Sequence, residues 1–291
     1  MVTGVLEPLV EVPTRTLVHA LLRRDGTVAA DELYEVAGLL AMSDQQVRLS
    51  IKRLVAAGEF EVVGRGRRAV LRAAADLRRA LGAEVRFVGF AYRQDRGLEP
   101  WDGRWHLVAF AVPEAERQSR DALRREILYL GGAPVQGGLY VSANAWEPLI
   151  DEAVRRLGGS ATVTTATTRD LAVAGERDPR RLAARLWPVA EIAQRWTRLA
   201  VVAGARLAHL DAHPDLGRGE RLRFAIEVAT LFDEAAQPDP LLPPELLPDP
   251  WPGAEGRALA ARCWARLATQ DDGQHRIFTH YDGAIPDLGA G

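Results

Sequence analysis

The sequence has a single cysteine, Cys263, in 291 residues. It can therefore form neither an intrachain disulfide nor a cysteine-built metal site. Lysine is equally scarce: Lys52 stands alone among 37 basic residues, a skew toward arginine that fits codon bias in GC-rich coding sequence. No apolar run approaches the roughly 18 residues needed to span a bilayer. The opening MVTGVLEPLVEVPTRT lacks the basic segment, long apolar stretch and small-residue cleavage site of a secretion signal. Cytoplasmic localisation without a membrane partner is the expectation. Gly-rich phosphate loops of the Walker or dinucleotide type are also missing. What remains is ordinary globular composition, 47% hydrophobic and 26% charged. The length exceeds the ~250 residues at which single cores stop growing, so two or three units are expected.

The net charge of −2 conceals a division. The stretch Ser43 to Arg79 carries nine cations against Asp44, Glu59, Glu61 and Asp76, which is +5 locally and leaves −7 for the rest. A basic footprint on an acidic chain is the pattern of a nucleic-acid module inside a larger regulator.

That stretch contains SDQQVRLSIKRLVAAGEFEV, residues 43–62. Two helices are expected before it, about Thr16 to Arg24 and Ala30 to Leu40, the second striped by Leu33, Val36, Ala37 and Leu40. Ser43 with Gln46 three residues on is a capping-box pattern, which fixes the start of a third helix. On that helix Val47, Ile51, Leu54 and Val55 share one face. Gln45, Leu49 and Lys52 point the other way, flanked by Gln46, Arg48 and Arg53. Arg or Lys can bond guanine O6 and N7, Gln can bond adenine N6 and N7, and Leu can meet a thymine methyl. Gly58 ends the helix, and EFEV, GRGR and RAVLR then read as a hairpin whose tip carries Arg65, Arg67 and Arg68 for phosphates or a minor groove. One basic amphipathic helix can equally be a solvated face. The ordered set of three helices, a cap and a basic hairpin favours double-stranded DNA as partner, with Ser43 included among the contacts.

AADLRRALGAEVRF is expected to be a connecting helix and YRQDRGLEPWDG a loop. From Arg104 the pattern runs strand, helix, strand, strand, helix, strand, the order of a ferredoxin-like βαββαβ domain. Gly131 and Gly132 close its first helix. The last third is helical: Asp178 and Pro179 read as N-cap and N1, Ile192, Trp196, Leu199 and Leu207 stripe one helix, and Leu222, Ala225, Ile226, Ala229 and Phe232 the next. QPDPLLPPELLPDPWPG is too rich in proline for a helix and is expected to cross a surface in extended form.

Over nearly its full length, and in three stretches above all, the chain resembles the phenylacetic-acid catabolon repressor (PaaX) family. They are the capped-helix segment quoted above, WDGRWHLVAFAVPEAERQSRDALRREI with GGLYVSA, and DPLLPPELLPDPWPG. The resemblance implies a dimeric, effector-responsive repressor. It would have a winged-helix head, a middle domain similar to the small CRISPR-associated nuclease and a helical C-terminal domain, with an aryl-CoA thioester as effector in the best-known members. Two positions depart from the family pattern. Ala111 follows Phe110 where an Asp is usual, which removes the carboxylate a related nuclease would place on a metal. Phe232 and Asp233 stand where a Tyr-Arg pair is common, which removes a cation from a candidate effector contact.

The fold class expected is α+β, with a winged helix-turn-helix over residues 1–80, a connector over 81–103, a ferredoxin-like domain over 104–175 and a helical effector and dimerisation domain over 176–291. Arg104, Trp105, His106 and Trp251 are candidate effector contacts, since a thioester needs an apolar slot and cations for its phosphates. Against this, bulky aromatics chiefly supply core area. His209, Asp211 and His213 lie close enough to suggest a metal, but Pro214 ends the helix and no third ligand follows, so no metal or cofactor is expected. The rival reading, a metal-dependent phosphodiesterase on the ferredoxin-like domain, is opposed by Ala111.

Overall fold

In the computed structural model, which describes residues 10–75, 87–113, 116–157, 161–269 and 275–279, the N-terminal apolar stripes become three short helices. These are α1 (Thr14–Ala20), α2 (Ala30–Leu39) and α3 (Asp44–Ala56). Leu17, Leu21, Leu33, Val36, Val47 and Leu54 are buried between them. The first helix stops earlier than its stripe, because Arg23 N–H bonds Thr27 O and turns the chain into β1 (Thr27–Ala29). That strand is three residues long, too short for periodicity to reveal. It completes a sheet ordered β1-β3-β2, with β2 (Phe60–Val63) and β3 (Val70–Ala73) joined through a 3-10 turn at Gly66–Arg68. Leu71 sits between Val28 and Val62 in register, so one buried residue organises all three strands.

Residues 87–95 are also helical (α4), although the sequence pattern reads as loop from Tyr92 onward. Val88, Ala91 and Tyr92 are buried at helical spacing, and Tyr92 Oη donates to Arg257 O at 2.8 Å. A tertiary contact thus overrides a polar local sequence. Most of the expected connecting helix, residues 76–86, lies outside the described residues.

The chain divides into two units. The first joins Met1–Tyr92 to Arg195–Glu234 and Pro252–Gly291; the second joins Arg93–Gln194 to Ala235–Trp251.

The second unit holds β4 (Trp105–Ala111), α5 (Arg117–Tyr129), β5 (Ala133–Gln136), β6 (Leu139–Ser142), α6 (Glu147–Leu157) and β7 (Thr162–Thr168). The sheet order is β5-β6-β4-β7, each pair antiparallel, as a βαββαβ chain requires. One face buries Val108 and Tyr140 against Leu123, Ile127, Trp146 and Ile150 of α5, α6 and the turn before α6. On the other, Trp105, Ala133 and Val141 pack on α7 (Pro179–Leu186), Trp187, Leu242, Leu246 and Leu247.

The proline segment therefore does more than cross a surface: its leucines form part of that core. Asn144 Nδ2 and Gln94 Nε2 each donate to Leu241 O at 2.8 Å, and Arg180 Nε donates to Glu245 O at 2.8 Å. Gly131, at φ +84°, lets the segment approach so closely that an added Cβ would fall 2.7 Å from Pro240 O.

The helices α8 (Val189–Ala212), α9 (Arg218–Ala236), α10 (Pro252–Ala268) and α11 (Arg276–Thr279) complete the chain, α8 beginning and α9 ending in the second unit. In the first unit Phe232 meets Trp196 and Trp264 at centroid distances of 5.6 and 5.1 Å. Arg206 and Glu227 form an ion pair inside the same helical group, at 2.6 Å and almost fully buried. Within the unit these helices also reach α2. Glu32 bonds Arg23 and His275 at 3.0 Å each and Arg218 at 2.8 Å, while Arg276 N–H donates to Leu22 O.

Candidate nucleic-acid interface

Ser43 caps α3 as its spacing predicts. Its Oγ accepts from Gln46 N–H at 3.3 Å, and Gln46 Oε1 accepts from Ser43 N–H at 2.8 Å and from Ser43 Oγ at 2.9 Å. Both side chains are thus engaged with each other, which fixes the helix start. Beyond them, Gln45, Arg48, Leu49, Lys52 and Arg53 are exposed, and Val47, Ser50 and Leu54 face the core. Leu49 is 46% exposed, and Val55, expected on the apolar face, is 39% exposed at the last turn of the helix. Gly58, at φ +71°, ends the helix and sends the chain into β2. Arg15 and His19 of α1 hold Glu59 beside that turn at 2.8 and 3.0 Å.

The hairpin tip places Arg65, Arg67 and Arg68 in solvent. Two neighbours that sequence reasoning does not single out organise it. Asp44 Oδ2 lies 3.9 Å from Nη2 of both Arg48 and Arg67, tying helix and hairpin together. Arg67 also stands over the Tyr34 ring at 5.3 Å. Asp44 belongs at a helix N-terminus for its favourable interaction with the dipole, so nothing local signals this second role. The arrangement is a cationic, amide-bearing arc on a rigid helix beside a cationic loop, chemically suited to phosphates and base edges.

The four effector candidates are not brought together. Trp105 and His106 are adjacent on β4 and point to opposite faces. Trp105 is 1% exposed and stacks with Trp187 at 6.3 Å. His106 is buried too, between Glu147 (Nδ1 to Oε1, 2.7 Å) and Asp102 (Nε2 to Oδ2, 3.4 Å). Arg104 is exposed, and Trp251 packs against the core that contains Trp105. His209 and His213 stack at 4.1 Å; burial, then the charges of His213 and Arg206, hold His209 below its ordinary pKa. Asp211 approaches Arg266 instead, at 3.7 Å. Among the described residues no group of three or more His, Cys, Asp or Glu is placed to hold a metal ion. Nor, among them, is any helix long and apolar enough to cross a membrane.

No curated protein matches the chain. Among solved structures, the uncharacterized protein Rv0674 from Mycobacterium tuberculosis is similar, with 22% identity over 93% of this chain and 95% of that one and a TM-score of 0.48. Residues 98–183 match the family described as PaaX protein central Cas2-like domain, and residues 187–276 the PaaX-like protein C-terminal domain. The two matches follow each other along most of the chain beyond the basic module, and on them the protein belongs to the PaaX family.

Proposed function

We propose that this protein is a DNA-binding transcriptional regulator, a repressor of a catabolic operon, rather than an enzyme. In this reading residues 10–75 are a winged helix-turn-helix head. Two copies bind an inverted-repeat operator, because one recognition helix covers only a few base pairs and two-fold proteins read paired half-sites. Arg48 and Gln45 read base edges from α3, Leu49 meets a thymine methyl, Lys52 and Arg53 flank them, and Arg65, Arg67 and Arg68 grip phosphates. The observation that carries the reading is the exposed arc of α3 beside the basic hairpin, on a chain that is acidic elsewhere. Family membership supports the regulatory class.

The signal is a small effector, an acyl- or aryl-CoA thioester, that releases the operator. Release by 100-fold requires the effector to favour the DNA-incompetent state by about 2.7 kcal/mol, within the usual range for allostery. Genome-wide mapping of bound DNA tests the reading. Enrichment of a few promoters sharing an inverted repeat is expected, and the neighbouring operons would indicate the metabolite. Uniform binding, or none, would overturn it.

A further inference from the structure

The first residue of α3 is a carboxylate set in a cationic surface. The Asp44 side chain is 54% exposed, and its Oδ2 lies 3.9 Å from Arg48 on its own helix and 3.9 Å from Arg67 on the hairpin. Helix N-termini attract acidic residues, which accounts for an Asp at this position. It does not account for two guanidinium groups, from separate elements, converging on one oxygen. At 3.9 Å neither contact is a hydrogen bond, so neither uses up a lone pair of the carboxylate. Ser43 and Gln46 are engaged with each other, which leaves Asp44, Gln45 and Arg48 as the outward polar side chains of the first turns.

We propose that Asp44 reads a base, and that its ligand is the amino group of a cytosine in the major groove. The inference rests on the DNA-binding reading above and names one letter of the site. Residues at the start of a recognition helix are the ones that reach base edges. A carboxylate only accepts hydrogen bonds, so phosphates, guanine O6 and N7 and thymine O4 all repel it. Two base edges donate: cytosine N4 and adenine N6. Adenine sets the N7 acceptor beside its amino group, whereas cytosine sets a C–H there, so cytosine is the better match. Arg48 and Arg67 let the carboxylate approach: two positive charges against one negative leave the trio cationic, and the phosphates meet no net negative charge. Asp44 and Arg48 are one helical turn apart, about 6 Å along the axis, against roughly 3.4 Å between base pairs. The cytosine read by Asp44 and the guanine read by Arg48 therefore lie within about two base steps of each other.

Site selection from randomised double-stranded DNA, with the full chain, tests this. Wild type should enrich a half-site in which one position is held by cytosine. Asp44→Ala should relax that position alone, lowering the preference for cytosine by about tenfold, as expected for the loss of one good base contact. Asp44→Asn should admit adenine there, because an amide donates to N7 while it accepts from N6. Both variants should keep the circular dichroism of wild type and melt close to it, since Asp44 and its two cationic neighbours are all exposed. A role confined to starting the helix would instead change affinity for every sequence alike. The proposal is overturned if Asp44→Ala leaves each base preference as in wild type, if the position it relaxes is one where wild type prefers another base, or if Asp44→Asn does not admit adenine. A wild-type protein that enriches no sequence at all sinks the DNA-binding reading itself, whereas a motif indifferent to residue 44 sinks only the cytosine contact.

Discussion

Glu32 illustrates how much one side chain can hold. Burial by itself would raise its carboxyl. The hydrogen bond and charge of His275, the hydrogen bond of Arg23 and the charge of Arg218 outweigh that and hold it down to about 2, from 4.5. Because the folded value lies below the unfolded one, this stabilisation is complete above about pH 5 and fades as the pH falls toward 2. Glu32→Gln should therefore lower stability by on the order of 3 kcal/mol at neutral pH. The gap to wild type should close in acid, which urea titrations at pH 7, 4 and 3 can follow. Nothing in the sequence near Glu32 announces this role, since His275 is 243 residues away. The Ser43–Gln46 box, in contrast, is legible because both partners lie within one helical turn. Arg48→Ala and Gln45→Ala are expected to reduce discrimination between operator and random DNA, each by about 1 to 3 kcal/mol, as read by competition binding.

At the scale of elements, helix and hairpin should separate in their response to salt. Arg65→Ala and Arg67→Ala should weaken operator and random DNA alike and flatten the dependence of affinity on salt, by about one unit of slope for each phosphate that is no longer neutralised. Equal losses on all sequences from helix and hairpin changes would refute that division of labour. The turn after α5 gives a test of the fold itself. Gly131→Ala combines a positive φ with a Cβ against Pro240 O, so it should cost well over the ~1 kcal/mol of a strain-only site. Chemical denaturation would measure it. The paired glycines, the capped helices and the strand order can be read from sequence because each is a local signal. β1 and α4 cannot: one is held by Leu71 across the sheet, and the other buries Val88, Ala91 and Tyr92 under a polar exterior.

On the scale of the whole molecule, the pairing of distant stretches is what the sequence withholds. Periodicity marks the apolar face of α9 or α10 but carries no record of which surface will cover it. Hence the grouping of residues 195–234 and 252–291 with 1–92, and of the proline segment with the sheet, emerges only in three dimensions. The candidate effector residues are the least legible for the same reason. Trp105 and Trp251 look available as aromatics, and the structure commits both to a core. Phe232, one of the two departures from the family pattern, is similarly enclosed between Trp196 and Trp264. Phenylacetyl-CoA is accordingly expected to be a weaker effector than another acyl-CoA in a panel scored by operator release. Reciprocity requires operator DNA to weaken the effective thioester by the same factor, which calorimetry with and without DNA can check. Asp44 adds a consequence for how such a protein would search a genome. It already lies 3.9 Å from Arg48 and from Arg67, so a phosphate approaching either of these two cations would have to compete with a resident rival. Exposed pairs of this kind are worth only about 0.5 kcal/mol, close to a twofold change in lifetime. On the DNA-binding reading proposed above, that small handicap would fall on every site alike, and only at a matching one would Arg48 gain a base edge in return, so stays on unmatched DNA would be the shorter.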